Sequence, residues 1–142
     1  MVTIREEFKR KKRYLSRYRH RIRKIEQLET KLIEKRLSNK RLHSVQVTGM
    51  PSGGVPKTMD DKLQEIQDLD DRITRLQVKA RNIRMEITDV IDELDERESE
   101  ILEMYFVEDM DIYSISTKTK YSYDRAMHLY SSGVNHCEIP DR

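Results

Sequence analysis

Apolar residues recur at steps of three and four along two long segments of the chain. In the first, Ile4, Phe8, Leu15, Tyr18, Ile22, Ile25, Leu28 and Leu32 fall mostly on one face at the helical period, which predicts a helix over about 3–43. In the second, Leu69, Ile73, Leu76, Ala80, Ile83, Ile87, Val90 and Leu94 alternate steps of four and three. That is a heptad seam on a helix over 59–94, which Leu63 and Ile66 extend with one irregular step. Between the two lies SVQVTGMPSGGVPKT, residues 44–58, with three of the four glycines, two of the three prolines and no period. This stretch reads as a linker or long loop. A solitary amphipathic helix leaves its seam wet, so the two helices pair either with each other as an antiparallel hairpin or with a second chain as a homo-oligomer.

The pattern changes at LDERESEILEMYF. Asp95 stands three residues before Glu98, the spacing of a capping box with Asp in the Ser/Thr role, so a new helix is expected there. Ile101, Leu102, Tyr105 and Phe106 give that helix a broader apolar face than the seam, and a broad face needs a globular neighbour. Residues 107–134 are expected to supply that neighbour. VEDMD, 107–111, reads as a polar connector; Ile112 and Ile115 form the inner side of a short helix; Ser122 caps the next, with Asp124 in its first turn. Ala126, Leu129 and either Tyr130 or Gly133 line that last helix inside, leaving Arg125, His128 and Ser132 outward. A compact head over 95–134 and a tail over 135–142 complete the layout, an all-α fold.

Composition agrees with this class. Only 36% of residues are apolar and 38% are charged, with no Trp and two Phe, which suits long solvated helices carrying one small globular unit. A single cysteine, Cys137, excludes an internal disulfide, and His136 beside it lacks the second ligand pair a metal site needs, so both are expected in a solvent-facing tail. MVTIREEFKRKKR has no apolar core of a signal peptide, and the longest apolar run is MYFV at 104–107, which predicts a soluble, intracellular protein without membrane contact. Charge is unevenly spread. Residues 1–47 hold sixteen Lys/Arg and five Asp/Glu, whereas residues 58–109 hold seven and seventeen. Opposite halves either fold together or leave the basic part to a polyanion.

The stretch IYSISTKTKYSYDRAMHLYSSGV, residues 112–134, has the spacing of a helix-turn-helix, in which the first helix braces the second against the major groove. Together with LDERESEILEMYF it resembles region 4 of sigma-70 type factors, and the whole layout resembles the ArpU and RinA type late-gene regulators of phages and prophages. Leu94, Arg97 and Glu98 match the family's opening, Ile112 and Ile115 its first helix, Tyr121 and Ser122 its turn. Ser116 stands where alanine is usual, and Thr119 and Lys120 where leucine and glycine are usual. A lysine in a left-handed turn costs about 1 kcal/mol relative to glycine.

What the resemblance implies is a transcription regulator, an activator of late genes, acting on double-stranded DNA in the bacterial cytoplasm and contacting host RNA polymerase, with no cofactor. Arg125, His128 and Asp124 would face base edges; Ser122, Lys118 and Lys120 would meet the backbone. The head is neutral by itself, so further phosphate contact is expected from the N-terminal helix through Lys9, Arg10, Lys11, Lys12, Arg13, Arg17 and Arg21. The rival reading is a coiled-coil adaptor whose head grips polymerase or another protein without reading DNA. Catalysis is not expected: the carboxylates of 60–111 fall on the solvated side of a heptad helix, and no phosphate loop or nucleophile set accompanies them.

Overall fold

A computed structural model of the chain describes residues 2–44 and 58–140, with the side chains of 41–44 excepted. Most of the Gly/Pro-rich stretch therefore lies outside the described residues. Every regular element described is helical: α1 Ile4–Leu15, α2 Arg17–Ser44, α3 Met59–Asp92, α4 Glu96–Leu102, α5 Ile112–Thr119 and α6 Tyr123–His136, with a π-helical turn, Glu103–Val107, continuing α4. None of them is long and apolar enough to cross a membrane.

Local sequence explains the helix boundaries. Thr3 and Glu6 form a capping box at the start of α1, and Thr58 and Asp61 exchange the equivalent bonds at the start of α3. The single helix expected over 3–43 is divided at Ser16, whose hydroxyl donates back to the Lys12 carbonyl at 2.7 Å, a bond that loosens a helix locally. At α4 the predicted box forms only by half. Asp95 accepts from the Glu98 backbone N–H at 2.9 Å, but the Glu98 carboxylate turns elsewhere. The expected polar connector is also more structured than its composition suggests. Glu108 N–H donates to the Glu103 carbonyl, Met110 N–H to Met104, Asp109 takes a left-handed φ of 58°, and Val107 and Met110 pack inward.

The described residues divide into two compact units, 22–44 with 58–79 and 2–21 with 80–140. In the first, α2 and α3 pair antiparallel. Ile25, Leu28, Leu32 and Ile73 are buried, Lys35 meets Glu65 at 3.5 Å, and Gln77 donates to Glu29 at 3.4 Å, so partners fall in number along α3 as they rise along α2. The hairpin alternative thus accounts for the seam in this unit, where Leu69 and Leu76 are half-buried.

The second unit holds a core of Leu15, Ile87, Ile91, Ile101, Leu102, Phe106, Ile112, Ile115, Ala126, Leu129, Tyr130, Val134 and Cys137. Here the predicted seam is only partly followed. Ala80 and Ile87 are enclosed and Ile83 and Val90 half-buried, while Ile91, outside the heptad register, is almost completely covered. A straight helix drifts by roughly 20° per heptad, which brings the adjacent position inward by the end of α3. The head also reaches beyond 95–134. Leu15 of α1 lies at its centre, Phe8 meets Tyr130 edge-on, and Cys137 is buried. Ile4, expected on the apolar face, is instead solvent-exposed.

Local geometry sets two expectations for stability. Lys120 adopts φ 66° and ψ 11° at the end of α5, so Lys120→Gly is expected to raise the free energy of urea unfolding by about 1 kcal/mol. Backbone N–H groups of Glu98 and Ser114 hold the Asp95 and Asp111 carboxyls below the ordinary carboxylate range. Folded values below unfolded ones mean that this stabilisation is complete above about pH 4 and is lost as pH falls through the folded values. Asparagine caps without titrating, so Asp95→Asn with Asp111→Asn is expected to flatten the decline of the unfolding midpoint below about pH 4.

Candidate nucleic-acid interface

α5, a turn and α6 succeed one another with a cap at each start. The Asp111 carboxylate accepts from Ser114 N–H at 2.7 Å, Lys120 turns the chain, and the Ser122 hydroxyl accepts from Arg125 N–H at 3.0 Å. Ile112, Ile115 and Ser116 face inward from α5, and Ala126, Leu129, Tyr130, Gly133 and Val134 from α6. Opposite this buried side, Tyr123, Asp124, Arg125, Met127 and His128 are all exposed. The three residues expected at base edges therefore share the solvent-facing side of the first two turns of α6.

The far end of α6 is tied down by polar contacts that the sequence did not suggest. Glu98, only 6% exposed, brings both carboxylate oxygens within 2.9 Å of His136 Nδ1, and Ser132 Oγ donates to the same carboxylate at 3.4 Å. Since a carboxylate only accepts, the proton of this bond is on Nδ1. Ser132 is thus not the outward residue expected and Cys137 is buried, while His136, though still largely exposed, belongs to α6 rather than to a tail. Helix α6 continues to His136, and its last turn seals the core with Val134 and Cys137, a small hydrophobe here. Burial pushes the Cys137 thiol up to about 11, so it is neutral and unreactive at physiological pH. From α1, Lys11 Nζ donates to the Asn135 carbonyl at 2.7 Å, a cation where a helix dipole ends negative.

The basic residues expected at phosphates separate into two groups. Arg10 pairs with Glu7 at 2.6 Å; Lys11 is held by α6; Arg17 pairs with Glu86 at 2.7 Å and lies 4.1 Å over the Tyr14 ring. Arg19, with its side chain 14% exposed, binds Asp109 at 2.6 Å and covers Tyr105 at 4.3 Å. These cations answer the acidity of their own unit, where residues 2–21 carry nine Lys/Arg and two Glu while 80–140 carry six and fourteen. Lys9, Lys12 and Arg13 form the second group, exposed on α1 without an ion pair among the described residues, and Arg21 is half-buried. On the head, Lys120 is exposed and Lys118 is exposed with Glu108 at 3.8 Å. Ser122 is exposed, but its hydroxyl is already engaged as the cap.

No protein-family model, curated protein or solved structure matches this chain.

Removing the Glu98 carboxylate leaves His136 and Ser132 without their shared acceptor and opens space beside Gly133. Glu98→Ala is expected to lower the unfolding free energy by about 2 kcal/mol, read by chemical denaturation, with Glu98→Gln losing less because its amide oxygen still accepts.

Proposed function

We propose that the chain is a DNA-binding transcription regulator of the phage or prophage late-gene type, in which α5 and α6 act as a helix-turn-helix. The observation that carries this reading is the start of α6, where Asp124, Arg125 and His128 are solvent-facing while Ala126, Leu129 and Tyr130 clamp the opposite side. A recognition helix needs that division, because its groove-facing side chains must be free while its orientation is set by packing. Arg125 would form paired bonds to guanine, Asp124 would accept from the cytosine amino group, and His128 would donate to an acceptor edge. Lys118, Lys120 and the exposed Lys9, Lys12 and Arg13 would meet phosphates, whereas Arg10, Lys11 and Arg17 serve the protein's own packing. The likeness of residues 94–134 to sigma region 4 supports activation through RNA polymerase.

A second reading, a head that binds polymerase or another protein without reading DNA, is favoured by Tyr113, Tyr123 and Met127. All three are large and exposed on α5 and α6, and aromatic residues of this kind are typical anchors of protein interfaces.

Binding of full-length protein to duplex from its own locus and to random duplex, measured by anisotropy across a salt series, separates the two. Groove reading requires tighter binding of the native locus and an affinity that falls steeply with salt. Arg125→Ala is then expected to reduce the preference about tenfold, and Lys9→Gln with Lys12→Gln and Arg13→Gln to weaken both duplexes alike and flatten the salt slope. Binding to neither duplex at low salt sinks the DNA reading. Point substitutions are required, since deleting the N-terminal helix would also remove Leu15 from the core.

A further inference from the structure

The hairpin unit carries an apolar face that its own seam does not use. Glu29, Ile33 and Leu37 are successive i, i+4 neighbours and form one ridge of α2, on which Ile33 is 57% and Leu37 52% exposed. The Gln77 amide donates to Glu29, so this ridge adjoins the side of α3 that bears Gln77. Leu63 stands two heptads before Gln77 on the same line of α3 and is 49% exposed. The three apolar residues therefore share one broad face, opposite the face where Lys35 meets Glu65. The interior is filled without them, by Ile25, Leu28, Leu32 and Ile73.

Charges around this face are self-complementary. Residues 31–40 of α2 carry four Lys/Arg and one Glu, whereas residues 60–71 of α3 carry six Asp/Glu and one Lys. By helical register Arg36 and Lys40 border the apolar patch on α2, and Asp60 and Asp70 border it on α3.

We propose that this face binds a second copy of the chain, making a four-helix bundle with its two-fold axis along the hairpin. That axis sets α2 of one copy over α3 of the other, antiparallel and at the same level, so Ile33 and Leu37 of each copy pack on the α3 face that carries Leu63 in the other. Arg36 and Lys40 then face Asp60 and Asp70 of the second copy. Any arrangement that stacks α2 on α2 sets lysines against lysines, and like charges at close quarters oppose it. Self-association needs no DNA, so it is independent of the reading of α6.

Sedimentation equilibrium of the full chain at micromolar concentration is expected to give twice the 17.1 kDa of the monomer. Ile33→Glu with Leu37→Glu is expected to weaken the dimer by roughly two orders of magnitude while helix content by circular dichroism stays unchanged, because both residues are exposed. Arg36→Asp with Lys40→Asp should also dissociate it, and adding Asp60→Lys with Asp70→Lys should restore it. A wild type that stays monomeric, its face left to some other occupant, overturns the proposal; so does a dimer that none of these changes weakens. Should the glutamates disturb the hairpin, the charge reversal and its rescue decide alone.

Discussion

A Cβ at Gly133 would come within 3.1 Å of Leu102, and this close approach of α6 to α4 is the constraint on which the C-terminal unit depends. Leu102 is fully buried, so any side chain at this position would force it to give by a few tenths of an ångström, a shift that glycine spares the packing. Once the two helices are this near, register dictates the neighbouring contacts. Tyr130, one turn earlier on α6, enters the aromatic group with Tyr105 and Phe106 at centroid distances of 4.6 and 5.9 Å. Val134 and Cys137 reach the core, and His136 arrives within bonding distance of Glu98. The helix is thereby held along its second half, and its first two turns project their polar side chains outward from a fixed base.

The same packing redistributes the meaning of the basic N-terminal segment. As a string, RYRHRIRK places cations around most of a helix, as expected for a segment that grips a polyanion. In the fold, Leu15 and Phe8 dock α1 on the head, and Arg17 and Arg19 become internal partners of Glu86, Asp109 and Tyr105. A cation as enclosed as Arg19 is retained only where a carboxylate and a ring face replace its water. Internal pairing therefore takes up Arg10, Lys11, Arg17 and Arg19 and leaves Lys9, Lys12 and Arg13 exposed.

Much of the architecture was legible along the chain because it rests on local rules. Periodicity located the long helices; Asp95 and Ser122 marked helix starts as capping residues; Ile112, Ile115, Ala126 and Leu129 were recognisable as inward positions; and Lys120 stood at a turn where its left-handed conformation was expected. Those signals depend on neighbours within four residues, so sequence alone determined them, together with the all-α class and, of the expected outward set, Arg125 and His128 but not Ser132. Tertiary structure decided whatever depended on distant partners. It brought Leu15 into a core built more than 70 positions later, turned Glu98 from its local cap to His136, replaced the heptad position by Ile91, buried Cys137, and chose which arginines are paired. None of these leaves a periodic trace, because each is fixed by the angle and distance at which separate helices meet rather than by the spacing within one.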